Sequence, residues 1–224
     1  MRQSVYHFKT PKRPRSGSTD KTHPPISLNL TIRFLPSSSD SDSTCAYSNS
    51  TNALTFTTQN IPAQSHCFNF ADLFGGNATS GFVNQTSNKW QELGIHWALE
   101  NADEFDAQTN YSNILYRQAA HGQEAGSYAT TRVNLYGGLD CTERDPNDDK
   151  GLLDWYGLNC QTGVEGECGA LPYSIASFTV MPVSGDDGTC LMYAQLGAGV
   201  GIHQPIKAVA SAFVGAVVAG WLAL

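Results

Sequence analysis

The sequence predicts a mainly β domain, an antiparallel sandwich or small barrel held by disulfides, set between a disordered N-terminal tail and a cleaved C-terminal apolar segment. Three observations point there. Short segments of alternating apolar and polar residues recur through the middle of the chain, Gly-, Asn- and Ser-rich turns separate them, and six cysteines lie among them.

Taken in order, residues 1–25 are rich in Pro, Lys, Arg and Ser and are expected to be disordered. Ile26 to Leu35 alternates and reads as a strand, but the Ser/Asp run from Pro36 to Ser43 reads as a linker. Residues 1–43 are therefore assigned to a basic tail and linker, and the folded domain to 44–197. Ala53–Thr58 and His66–Phe70 are short alternating runs separated by Pro62. Gly75-Gly76 opens an exposed, Asn- and Thr-rich loop, and Leu93–Leu99 suits a strand or the start of a helix. Asn113–Gln118 and Tyr128–Tyr136 resemble the arms of a hairpin joined across His121–Ser127. Ser174–Val183 and Cys190–Leu196 resemble a second, around Gly185-Asp186-Asp187-Gly188.

The chain has 224 residues and a net charge of −7, but the charge is split. Residues 1–35 hold seven Lys or Arg against one acid, Asp20; the remainder holds six against nineteen. An acidic body repels the phosphate backbone and argues against nucleic acid as a partner. Basic Pro11 to Arg15 fits a disordered end better than a nuclear address.

The six cysteines, Cys45, Cys67, Cys141, Cys160, Cys168 and Cys190, suit three disulfides. Proximity along the chain suggests sequential pairing: Cys45–Cys67, Cys141–Cys160, Cys168–Cys190. A zinc knuckle needs a shorter spacing than Cys160 to Cys168, the closest pair, so no metal or cofactor is expected. Two further signals place the chain in the secretory pathway. Five N-x-[ST] sequons occur, at Asn29, Asn49, Asn77, Asn84 and Asn110. The chain also ends in seventeen uncharged residues, Ala208–Leu224, preceded by a short spacer and the small triplet Gly197-Ala198-Gly199. Small triplet, spacer and apolar tail make a GPI-attachment signal, with Gly197 as the attachment residue and 198–224 as the propeptide. A membrane helix would be short and weakly apolar here, and a core helix would show a polar face. Residues 1–25 lack the apolar run of a signal peptide, which leaves a cytosolic protein or a natural start different from Met1; the second, through a misplaced start codon or a missed exon, is the expectation.

Candidates for chemistry are few. Asp145, Asn147 and Asp149 have calcium-loop spacing, yet Lys150 and Tyr156 stand where an EF-hand needs Gly and Glu. Glu100, Asp103, Glu104 and Asp106 form an acid cluster of the kind glycosidases draw on. His66, His96 and His121 are isolated, and no serine-nucleophile elbow, zinc-protease helix or phosphate-binding glycine loop is present. No catalytic residue is assigned. Trp155 and Tyr156, between Gly151 and Gly157, are the ligand-binding candidates, as an exposed aromatic platform for a sugar ring; the alternative, the commoner one for Trp and Tyr, is that both rings pack into the core. In its cysteines, sequons and C-terminal signal the chain resembles the small GPI-anchored surface and wall proteins of filamentous fungi, without the long Ser/Thr-rich stalk of wall adhesins. That resemblance implies a non-catalytic cell-surface glycoprotein, held to the outer membrane face or wall by a GPI lipid and binding wall polysaccharide or protein. A hydrolase of wall polysaccharide and a secreted effector are the alternatives.

The anchor is directly testable. A phosphatidylinositol-specific phospholipase should release the protein from intact cells, with its mature C-terminus near Gly197. Mass-spectrometric detection of Leu224 on the mature protein would refute it.

Overall fold

The computed structural model describes residues 29–37, 45–86, 93–120, 122–148, 151–183 and 189–197. Among them are strands β1 (Asn29–Leu35), β2 (Leu54–Thr58), β3 (His66–Asn69), β4 (Ser80–Asn84), β5 (Gly94–Glu100), β6 (Asn113–Ala119), β7 (Tyr128–Tyr136), β8 (Trp155–Cys160), β9 (Glu167–Ala170), β10 (Ser177–Pro182) and β11 (Ala194–Leu196), with one short helix, α1 (Phe70–Phe74). They form two antiparallel sheets, a six-stranded β4-β5-β2-β1-β6-β9 and a five-stranded β11-β8-β7-β10-β3. The mainly β sandwich expected from the alternation is what forms. The expected tail at 1–28 and the propeptide at 198–224 lie outside the described residues.

Period-two alternation aims one set of side chains from each sheet into the shared interior. From the six-stranded sheet come Leu30, Ile32 and Phe34 of β1, Leu54 and Phe56 of β2, and Ile114 and Tyr116 of β6; Val133, Leu135, Leu158, Phe178 and Val180 come from the other. Phe178 meets Phe34, Phe56 and Phe68 at centroid distances of 5.6, 5.1 and 5.3 Å. Phe70 and Phe74 of α1 extend the cluster to Phe34 at 4.8 and 5.7 Å.

Three expectations are corrected. First, the folded domain includes β1 rather than starting near residue 44. β1 lies inside its sheet, paired with β2 from Leu30↔Thr58 to Phe34↔Leu54 and with β6 from Asn29↔Ala119 to Leu35↔Asn113. The Ser/Asp run that suggested a boundary separates a strand from its own domain only in sequence. Second, neither expected hairpin forms. β6 belongs to the six-stranded sheet and β7 to the five-stranded one, and β10 pairs with β7 and β3 while β11 pairs with β8. Gly-rich segments long enough to turn a hairpin are also long enough to cross the ~10 Å between packed sheets. Third, the cysteines do form three bridges and none is free, but as Cys45–Cys168, Cys67–Cys141 and Cys160–Cys190. None is a pair of the sequential scheme, because the sheet topology brings together segments 30 to 123 residues apart.

The outer face of β1 is covered as well. Segment 45–53 crosses it, held by Cys45–Cys168 at one end. Arg33, only 4 % exposed, donates from Nη1 to the Tyr47 carbonyl and, at 2.9 Å, to Ser50 Oγ. The Tyr47 ring lies against two guanidinium groups, Arg33 at 4.1 Å and Arg117 at 4.5 Å from its centroid. At the far edge, Tyr193 sets its ring over Gly169, where a Cβ would come within 2.5 Å of Cε1, and its hydroxyl donates to the carbonyls of Ile114 (3.0 Å) and Glu167 (2.9 Å). That contact ties the approach to β11 to the opposite sheet.

Non-reducing peptide mapping should return the pairs Cys45–Cys168, Cys67–Cys141 and Cys160–Cys190, with no alkylatable thiol. Cys45→Ser with Cys168→Ser removes the longest closure, a separation of 123 residues. On loop entropy it should cost about 5 kcal/mol, against about 4 for the Cys160–Cys190 pair.

Candidate functional site

β7 and β8 run side by side in the register Val133↔Leu158, Asn134↔Gly157, Leu135↔Tyr156. Val133, Leu135 and Leu158 are buried in the core, so their neighbours Arg132, Asn134, Tyr136, Trp155 and Gly157 face outward from the five-stranded sheet. On that outer face Tyr136 and Trp155 stack with centroids 5.8 Å apart and planes at 28°. The Arg132 guanidinium reaches across to 5.2 Å from the Trp155 ring. Gly157 makes room for that crossing: a Cβ there would stand 3.2 Å from Arg132 Nη2, and as close to Leu191 and Leu196.

Polar contacts hold the cluster in place. Trp155 Nε1 donates to Glu143 Oε1 at 2.9 Å; Glu143 sits at the base of the 143–153 turn, closed by Leu153 N–H donating to the Glu143 carbonyl at 2.7 Å. Arg132 Nε donates to Asn134 Oδ1 at 2.7 Å, and Asn134 Nδ2 lies 3.4 Å from the Tyr136 hydroxyl and 3.5 Å from Met181 Sδ. Thr179 on β10, paired with Asn134, is 7 % exposed and its Oγ1 has no hydrogen-bond partner among the described residues. Desolvation lowers the Arg132 pKa, partly opposed by Tyr136. Two flat rings, a fixed guanidinium and amide groups suit the stacking and hydrogen bonding of a ring-shaped polar ligand.

The structure separates the two aromatics expected to act together. Trp155 and Tyr156 are consecutive residues of a strand, not of an exposed loop, so they point to opposite faces. Tyr156 packs against the core, its ring 6.1 Å from that of Tyr173, and desolvation raises its pKa. Tyr136 and Arg132 are the partners that sequence reasoning missed. The signal was present in Thr131–Tyr136, where Arg132, Asn134 and Tyr136 alternate with Val133 and Leu135, but the strand opposite them was not legible.

The other candidates stay apart. Glu100 ends β5, Asp103 and Glu104 are exposed on a 3-10 turn, and Asp106 accepts from Gln108 N–H (2.9 Å) and Thr109 Oγ1 (3.1 Å) to close a turn of its own. Asp145 accepts from Asn147 N–H at 2.8 Å, an ordinary Asx turn, while Asp149 and His121 lie outside the described residues. Among the described residues no group of three or more His, Cys, Asp and Glu could hold a metal ion. His66 meets Phe68 edge-on at 4.7 Å, and desolvation lowers its pKa; His96 stacks on Phe82. Asn49, Asn77, Asn84 and Asn110 are exposed; the Asn29 side chain is not among those described. Gly197 follows β11 at φ +126°, and a Cβ there would stand 3.3 Å from the Trp155 indole Cδ1 and 3.2 Å from Asp154 Cα. No helix among the described residues is long and apolar enough to cross a membrane. No protein-family model, curated protein or solved structure matches the chain.

Truncating the two aromatics should separate their roles. Tyr156→Ala should destabilise the domain by about 2–3 kcal/mol through lost core packing. Trp155→Ala, losing one hydrogen bond and one cation–π contact, should cost about 1 kcal/mol. Equal losses in denaturant titration would contradict the division between the two faces.

Proposed function

We propose that this chain is a non-catalytic cell-surface glycoprotein, GPI-anchored at Gly197, that binds wall polysaccharide through the outer face of its five-stranded sheet. The observation that carries the reading is the Trp155–Tyr136–Arg132 cluster on a face whose strands contain no sequon. Stacking on the apolar faces of sugar rings would come from Trp155 and Tyr136, and hydroxyl or carboxylate contacts from Arg132, which the buried Asn134 positions. All five sequons fall on the strands of the six-stranded sheet or on segments leading into them, so attached glycans would leave the aromatic face open. A lipid at Gly197 would hold that face close to the cell surface, because Gly197 directly follows Leu196, the cross-strand partner of Trp155. The hydrolase reading is weaker: the acids it would need are exposed, and Asp106 is engaged in closing a turn.

Binding to insoluble wall polysaccharides, measured by depletion from solution, tests the reading. The protein should bind at least one of them, and Trp155→Ala with Tyr136→Ala should weaken binding at least tenfold. The thermal midpoint of that variant should fall by no more than about 2–4 °C, the shift for ~1 kcal/mol in a domain of this size. No binding by the unaltered protein, or unchanged binding by the double variant, would reject it.

A further inference from the structure

β4 is an edge strand of the six-stranded sheet and carries one of the sequons, Asn84-Gln85-Thr86, at its end. Ser80, Phe82 and Asn84 share its outer face, while Gly81 and Val83 turn inward, Gly81 beneath the Trp97 ring. Phe82 is 38 % exposed. His96, directly across on β5, stacks on its ring at 4.3 Å and 24°. The ring also leans over Gly94, the cross-strand partner of Asn84: a Cβ on Gly94 would come within 2.7 Å of Phe82 Cε2. A flat aromatic surface, backed by an imidazole, thus lies beside the asparagine. Asn84 is exposed and accepts from the Thr86 N–H through Oδ1 at 2.9 Å, while its Nδ2, the atom that carries a glycan, has no hydrogen-bond partner among the described residues. Further along the same face is a hollow of about 220 Å³ lined by Thr57, Gln59, Asn60, His96 and Ala98.

We propose that Asn84 carries an N-linked glycan whose first N-acetylglucosamine lies down on Phe82 and shields the β4 edge. The inference rests on the secretory reading above. In the modification step, Asn84 Nδ2 attacks the anomeric carbon of a polyprenyl-diphosphate-linked oligosaccharide. The N–C bond forms as the bond from that carbon to the phosphate oxygen breaks, the lipid diphosphate leaves, and the amide proton passes to a base of the transferase. The sugar's C–H face then covers the ring of Phe82, two residues back on the same side of the strand, and the glycan runs on toward the hollow. An edge strand with an exposed apolar side chain is an aggregation hazard, and Phe82 makes β4 such an edge. A glycan folded back on Phe82 blocks pairing there and buries the ring.

The test expresses the full chain behind a secretory leader in a glycosylating eukaryotic host, as the unaltered protein, N84Q, F82A and F82A/N84Q, with F82L as a second variant at the ring. Site occupancy is read by mass spectrometry and stability by thermal melting, before and after trimming each glycan to its first sugar. Asn84 should be occupied, and N84Q should melt about 2–4 °C below the unaltered protein. The difference should survive trimming and should vanish between F82A and F82A/N84Q, and likewise on the F82L background. Asn84 empty while other sequons are filled, or an N84Q loss independent of Phe82, overturns this inference and leaves the surface-glycoprotein reading standing. No sequon occupied overturns both.

Discussion

The stacking of Phe178 against Phe34, Phe56 and Phe68 is the contact on which the sandwich depends, because it joins central strands of both sheets through one buried ring. Aromatic side chains remove more apolar surface from water than any others and add a geometric preference to that burial. With α1 contributing Phe70 and Phe74, the cluster reaches one end of the sandwich as well as its middle. Phe178 also fixes β10 between β7 and β3, and β7 in turn is the strand against which β8 is aligned. The register that places Tyr136 and Arg132 beside Trp155 is thus held from the core side.

The six-stranded sheet is organised around a strand buried on both faces. Apolar residues of β1 face the core, while on its other face Thr31 and Arg33 are buried too, Arg33 under segment 45–53. A guanidinium taken out of water needs hydrogen bonds and a polarisable neighbour. The Tyr47 carbonyl, Ser50 and the Tyr47 ring supply these to Arg33, although its Nε has no hydrogen-bond partner among the described residues. The Cys45–Cys168 bridge pins the covering segment, so a surface stretch becomes a second, smaller packing layer.

The two outer faces of the sandwich consequently differ in chemistry. The six-stranded sheet bears its covering segment, the stacked Phe82–His96 pair and the exposed sequons Asn49 and Asn84. The five-stranded sheet presents Trp155, Tyr136 and Arg132, steadied by Glu143 and Asn134. Aromatic rings beside a guanidinium occur on both, Tyr47 with Arg33 and Arg117 on the first, but only on the second are they free of a neighbouring sequon. The difference follows from strand alternation: a residue shifted by one along β8 would exchange its role in the core for one at the surface.

What the sequence by itself determined is local in origin. Alternation in segments such as LTFTT and NILYRQA follows from the pleat, so the β class, most strand positions and the burial of every second side chain were legible from residue order. An even number of cysteines without metal spacing likewise indicated bridges. What only the tertiary structure decided is non-local. Pairing of β1 with β2 and β6, the crossing from β6 to β7 and the bridge Cys45–Cys168 depend on which distant segments share a sheet edge, and sequence spacing carries no information about that. The aromatic site shows the boundary between the two. That Trp155 and Tyr156 oppose each other follows from the period of a strand once β8 is known to be one; that Tyr136 and Arg132 meet Trp155 follows only from the β7–β8 register.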